Sequence, residues 1–124
     1  IKDKKLDNIE LMGFLGDEKI RQYYNSCDIV TVLAKYGEGF GLPIIEGYLH
    51  NKPVFASNVS AIPEIIIDKK FLLNNTVTDL ENKIQNYLKE NKNYNFKKYY
   101  YDNFGNNVIR KKYIKLYKQL SENY

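Results

Sequence analysis

Tryptophan is absent from this 124-residue chain, and cysteine, histidine and methionine occur once each, as Cys27, His50 and Met12. A single cysteine excludes an internal disulfide, and one cysteine beside one histidine leaves too few ligands for a Cys/His zinc site. No apolar run approaches the roughly 18 residues needed to span a bilayer. The opening Ile1-Lys2-Asp3-Lys4-Lys5 has no apolar core behind it and does not read as a signal peptide. It also lacks an initiating Met, so the chain is expected to be cut from a longer polypeptide. No internal repeat is present. The lone thiol precedes the apolar run that starts at Ile29, where it reads as a small buried residue rather than a reactive one. An unpaired thiol in that setting fits a reducing, cytoplasmic compartment.

What remains is the composition of a soluble globular domain, with 44% hydrophobic and 27% charged residues. The length suits one domain with a modest core. The net charge of +4 is unevenly spread: residues 88–124 carry nine Lys/Arg against three Asp/Glu, while the first 87 residues are slightly acidic.

Hydrophobic spacing predicts alternating strands and helices over the first two-thirds of the chain. Ile9-Glu10-Leu11-Met12 reads as a short strand closed by Gly13, followed by a helix from Asp17, a candidate cap, to Ser26. Ile29 to Leu33 reads as a parallel strand covered on both faces. A glycine-rich loop, Lys35 to Gly41, leads to a helix beginning at Pro43, with Ile44, Ile45, Tyr48 and Leu49 on its buried side. Val54 to Ser57 is a second buried strand, a loop containing Ala61-Ile62-Pro63-Glu64 leads into a short helical turn, and Phe71-Leu72-Leu73 is a third strand. From Thr78, Leu80, Ile84, Tyr87 and Leu88 mark an amphipathic helix; two more run over 97–104 and 108–120, separated near Gly105. The order implies a parallel α/β sheet with right-handed crossovers and a helical C-terminal tail.

The segment Glu38-Gly39-Phe40-Gly41-Leu42-Pro43-Ile44-Ile45-Glu46 follows a buried strand and opens a helix. Open α/β sheets bind ligands in that crevice, at the carboxyl ends of their strands. Gly39 and Gly41 allow close backbone approach, and amides near Gly41 and Leu42 at the positive end of a helix dipole suit a phosphate. Ionised carboxylates only accept hydrogen bonds, so Glu38 and Glu46 suit the two hydroxyls of vicinal diols. Glu46, one turn into the helix, can turn back toward the mouth of the loop. A glycine-rich turn before a helix is also common without any ligand, and acidic residues near helix starts often only complement the dipole.

Two glutamates separated by seven residues around Gly-Phe-Gly-Leu-Pro closely resemble the signature of retaining glycosyltransferases of the GT-B fold, family 4 or group 1 type. The likeness extends to Met12-Gly13-Phe14-Leu15-Gly16, Asp28-Ile29-Val30, Val54 to Ser57, Ile62-Pro63-Glu64-Ile65, and the closing helix from Phe104 to Tyr117. It covers nearly the whole chain. The resemblance implies a Rossmann-like sheet with flanking helices, forming part of the C-terminal half of a GT-B fold. On that view residues 1–124 are a single nucleotide-sugar-binding domain, incomplete at its N-terminus and lacking the acceptor domain.

The resemblance further implies that Glu46 holds the ribose hydroxyls of a nucleotide-diphospho-sugar and that Glu38, the catalytic candidate, contacts the transferred sugar. Gly39, Phe40 and Gly41 would line the sugar pocket, with Leu42 at the diphosphate. A hexosyl group would pass with retention to a glycan or lipid-linked acceptor, without cofactor or metal; no Asp-x-Asp motif is present. The chain departs from the family at Ala34-Lys35, where Pro-Ser is usual, and at Asn51 and Ser60-Ala61, where glycines are common. A glycine loop and an Arg/Lys pair that neutralise the diphosphate are expected upstream of Ile9 and are missing, so weak donor binding and no transfer are expected of these residues alone.

The alternative is a non-catalytic nucleotide-binding module working with another subunit. The basic, tyrosine-rich tail is expected to pack its tyrosines inward and leave its lysines solvated, with Tyr113, Leu116, Tyr117 and Leu120 at helical spacing. It is also compatible with a peripheral contact at the inner face of the membrane. Nucleic acid is not expected as a partner, and His50 is expected to be a helix cap or surface residue.

Overall fold

Val54, Phe55, Ala56 and Ser57 are all buried, and the computed structural model, which describes residues 6–37, 39–90 and 92–122, places them at the centre of a three-stranded parallel sheet. The strands are β1 (Val30–Val32), β2 (Val54–Ser57) and β3 (Leu72–Leu73), in that order. Val30 pairs with Val54, and Ala56 with Leu72. Six helices accompany them among the described residues: α1 (Asp17–Ser26), α2 (Leu42–Leu49), α3 (Ile62–Ile65), α4 (Val77–Lys89), α5 (Phe96–Phe104) and α6 (Asn106–Ser121). A 3₁₀ turn, Lys69–Phe71, leads into β3.

Side chains alternate across a strand, so β2 needs cover on both faces. α2 supplies one. Its Ile44 and Tyr48 are fully buried, and Gly47 lets the helix approach so closely that an added Cβ would sit 2.6 Å from Val54 Cγ2. On the other side the Phe55 ring meets Phe71 at 5.1 Å and Tyr87 of α4 at 5.9 Å, both edge-on. Tyr48 ties α2 to α5: its ring stacks on Phe96 at 5.8 Å and meets Tyr99 edge-on at 5.5 Å. Its hydroxyl accepts the Ile67 amide proton at 3.0 Å, which satisfies the one polar atom of a buried phenol.

Several elements differ from expectation. Ile9 to Met12 is irregular, and Leu11 is 70% and Phe14 100% exposed. A strand needs a neighbour to pair with, and among the described residues β1 pairs only with β2. For the same reason β1 is covered less fully than expected, with Thr31 and Leu33 exposed. Gly16, not Asp17, caps α1, and Asp17 occupies the first helical position. Cys27 is half-buried, its thiol donating to Tyr24 O at 3.4 Å. Leu88 is exposed, leaving Leu80, Ile84 and Tyr87 as the packed face of α4.

The tail gives the largest correction. α6 packs on α5, but every residue from Arg110 to Glu122 is exposed, Tyr113, Leu116, Tyr117 and Leu120 included. Helical spacing puts these four on one stripe, and nothing among the described residues covers it.

Gly47→Ala is expected to destabilise the protein by about 1–3 kcal/mol through overpacking against Val54. Urea unfolding would show a lowered midpoint, partly restored by Val54→Ala in the same chain. An unchanged midpoint for Gly47→Ala would contradict this packing.

Candidate functional site

The carboxyl ends of the three strands are tied together by polar contacts. Ser57, closing β2, is fully buried, and its hydroxyl accepts the Ala34 amide proton at 2.9 Å just beyond β1. The same hydroxyl bonds to Asn75 Oδ1 beyond β3, and Asn75 Nδ2 donates to Ala34 O at 3.0 Å. A buried hydroxyl must find partners, and here they hold the base of the loop that follows β1. Sequence reading assigned no role to Ser57 or Asn75; a serine closing an apolar strand is the one local sign of such a tie.

Beyond Ala34 the chain enters the glycine-rich loop. Glu38 lies outside the described residues. A Cβ at Gly39 would meet nothing within 4 Å, so the backbone there stands open. Phe40 is half-exposed and meets the Phe104 ring edge-on at 6.2 Å, which anchors the loop to α5. Gly41 is the N-cap of α2, with φ 80° and ψ 52°, a left-handed conformation that disfavours any Cβ. A Cβ there would also approach Ile44 Cδ1 to 3.0 Å and Ile65 Cδ1 to 3.3 Å. Leu42 is exposed at the first helical position, and Pro43 follows in the first turn, where its missing donor costs nothing. No side chain caps α2; Pro43 has no N–H and the Ile44 amide donates to Gly41 O at 2.9 Å, which leaves the Leu42 amide at the helix start to take an anion from solvent.

Glu46 is exposed one turn further along. Its carboxylate is held toward α1, not toward the loop: Tyr24 Oη donates to Glu46 Oε2 at 2.9 Å. The Tyr24 ring stacks on His50 at 5.3 Å and 10°. His50 Nδ1 lies 2.7 Å from Asn25 Oδ1, and Lys52 Nζ donates to Asn25 O at 3.0 Å. Tyr24, Glu46 and His50 border an open cleft of about 470 Å³, which Asp17, Ile20, Arg21 and Leu49 also line. Burial pushes the Tyr24 phenol above its ordinary range, and the hydrogen bond to Glu46 and that residue's charge add to it. Burial also lowers the His50 imidazole, with the nearby charges of Lys97 and Lys52 acting in the same direction.

Gly41, Leu42 and Glu46 thus share one helix, with Gly39 and Phe40 at its approach. His50 is the C-cap of α2, its amide donating to Glu46 O and Gly47 O, and so takes the cap role expected of it. The contact of Glu46 with Tyr24 was not foreseen; it joins residues 22 positions apart. No three His, Cys, Asp or Glu side chains converge as a metal site among the described residues.

A parallel α/β sheet with a glycine-capped helix opening at its carboxyl edge belongs to the class of folds that bind ligands at that edge. Comparison with known proteins narrows the class. The family model described as glycosyl transferases group 1 matches residues 1–107, and the chain belongs to that family. An uncharacterised glycosyltransferase of Methanocaldococcus jannaschii is 35% identical over 63 residues, covering 51% of this chain and 18% of that protein. The O-antigen chain mannosyltransferase B of Escherichia coli is 37% identical over 60 residues, 48% of this chain and 16% of its own length. A serotype-specific mannosyltransferase of Escherichia coli is 37% identical over 54 residues, 44% of this chain and 6% of its own. The matched stretches therefore span less than a fifth of these curated relatives. No solved structure matches.

Asn51 and Ser60, where the resemblance led to an expectation of glycine, both hold left-handed backbone, with φ 58° and 48°. Asn51 tolerates that conformation better than most residues, and its Oδ1 also accepts the Lys97 amide proton at 3.1 Å in the first turn of α5.

Gly41→Ala is expected to lower stability by about 1–2 kcal/mol, the cost of left-handed backbone for a residue with a Cβ. Gly39→Ala is expected to stay within about 0.5 kcal/mol of the parent, since its Cβ meets open space. Urea unfolding of both variants checks the contrast, and equal effects would contradict it.

Proposed function

We propose that this chain is the donor-binding part of a retaining glycosyltransferase, holding a nucleotide-diphospho-sugar for transfer of a hexosyl group to a glycan or lipid-linked acceptor. The observation that carries the reading is the uncapped start of α2: Gly41 opens it in left-handed backbone, and Glu46 stands one turn along. Membership of the group 1 family supports it, as do the mannosyltransferase names of two relatives.

In this reading the diphosphate sits against the amides at Gly41 and Leu42, where the helix dipole favours negative charge. The Glu46 carboxylate accepts the ribose hydroxyls. The open backbone at Gly39, with Phe40, borders the sugar. Glu38 contacts hydroxyls of the transferred sugar and steadies it as its anomeric carbon becomes electron-poor. The bond from that carbon to the phosphate oxygen breaks, and a bond to the acceptor oxygen forms on the same face. The acceptor's proton passes to the departing phosphate, so Glu38 need not serve as a base and no metal or cofactor is called for. The acceptor is held by a separate domain.

Transfer takes place in the cytoplasm at the inner face of a membrane. Among the described residues no helix is long and apolar enough to cross one. α6 offers a surface for peripheral contact with anionic lipid, with five Lys/Arg and no Asp/Glu between Asn106 and Ser121 and an exposed apolar stripe.

Titration of the folded chain with UDP-, GDP- and ADP-sugars, followed by amide NMR, tests the site. Shifts centred on Gly39 to Leu42 and Glu46 are expected for one nucleotide, with affinity lowered roughly 10-fold or more in Glu46→Ala, since hydrogen bonds to a charged group are lost. No response to any of the three, or shifts confined elsewhere, would overturn the proposal.

A further inference from the structure

Glu46 is an exposed side chain on the outer face of α2, and among the described residues no Lys or Arg forms an ion pair with it. Left to itself such a carboxylate samples many rotamers, and binding a diol would have to order it. Among the described residues its one hydrogen bond from another side chain comes from Tyr24. That phenol is itself fixed: its ring lies parallel to His50, and His50 is bonded to Asn25 on the same helix as Tyr24. Lys52 fastens the far side of Asn25 through its backbone carbonyl. A donor on a short, clamped aromatic side chain therefore meets the flexible carboxylate from across the α1–α2 cleft.

We propose that Tyr24 is a positioning residue of the donor site, its hydroxyl engaging Glu46 Oε2 so that the carboxylate is presented in one orientation to the ribose diol. The inference rests on the donor-site reading of Glu46. The chemistry of the pair fits the task. A phenol gives a single hydrogen bond and no charge, so it orders the carboxylate without neutralising it. Oε1 keeps its lone pairs, and Oε2 keeps one site, enough to accept both hydroxyls of a vicinal diol. A lysine or arginine in the same place would compete with the ligand for both oxygens. A phenol is protonated in neutral solution in any case, and burial and the neighbouring carboxylate raise its pKa further. Ordering the carboxylate before the ligand arrives removes that cost from binding, the general advantage of preorganisation.

The test is a double-mutant cycle on the chain, with Tyr24→Phe, Glu46→Ala and the pair. Tyr24→Phe keeps the ring that stacks on His50 and removes only the hydroxyl. Dissociation constants are measured for UDP, GDP and ADP and for their 2′-deoxy counterparts, which retain the phosphates and base but lack one of the two ribose hydroxyls. For the nucleotide that binds, Tyr24→Phe is expected to weaken the ribonucleotide roughly 2- to 10-fold, the range of one net hydrogen bond. It should weaken the 2′-deoxy form far less, so that discrimination between the two falls. In the Glu46→Ala background the same substitution should have no further effect. A merely structural tyrosine would weaken both nucleotides equally and add its effect to that of Glu46→Ala, and that result would overturn the positioning role. Glu46→Ala without effect on either nucleotide would instead overturn the donor-site reading on which it rests.

Discussion

Burial of β2 on both faces is the constraint from which the rest of the architecture follows. Val54 accepts α2 at the closest possible range because Gly47 has no side chain, and Phe55 packs beneath the rings of Phe71 and Tyr87. That contact fixes the height and direction of α2. A helix so docked, and entered from β1 through a loop anchored at Ala34, must begin at the carboxyl edge of the sheet. The start of α2 therefore presents the Leu42 amide at the position where parallel sheets bind anions, Pro43 having no N–H and the Ile44 amide being turned back to Gly41 O. Tyr48, fully buried in the same helix, carries the constraint outward to α5 and to the backbone at Ile67.

The elements legible in the sequence were those whose pattern is local. Four consecutive buried residues mark β2, proline and glycine bracket the start of α2, and Gly105 separates α5 from α6. What could not be read was the presence or absence of a neighbour. Ile9 to Met12 has the composition of a strand, but pairing is a property of two segments, and β1 offers it no ladder among the described residues. Helical spacing correctly grouped Tyr113, Leu116, Tyr117 and Leu120 on one face of α6, yet spacing carries no information on whether another surface covers that face.

The same distinction runs through the candidate site. The glycine-rich loop and Glu46 stand in one short stretch and could be singled out by eye. The groups that hold them in place are distant in sequence: Ser57 and Asn75 reach Ala34 from β2 and the turn after β3, and Tyr24 reaches Glu46 from α1. Non-local support of this kind is invisible to periodicity. The left-handed backbone at Asn51 and Ser60 is a related case, since nothing in their local sequence pattern marks it.

In the proposed function the start of α2 and the adjoining cleft form a nucleotide-sugar site. A crystal structure of the chain with the nucleoside diphosphate it binds tests this most directly. Phosphate oxygens are expected on the amides at Gly41 and Leu42 and the ribose hydroxyls on Glu46, with the Tyr24 contact retained. A nucleotide seated elsewhere, for example in the apolar crevice bordered by Leu33, Lys35 and Val77, would contradict it.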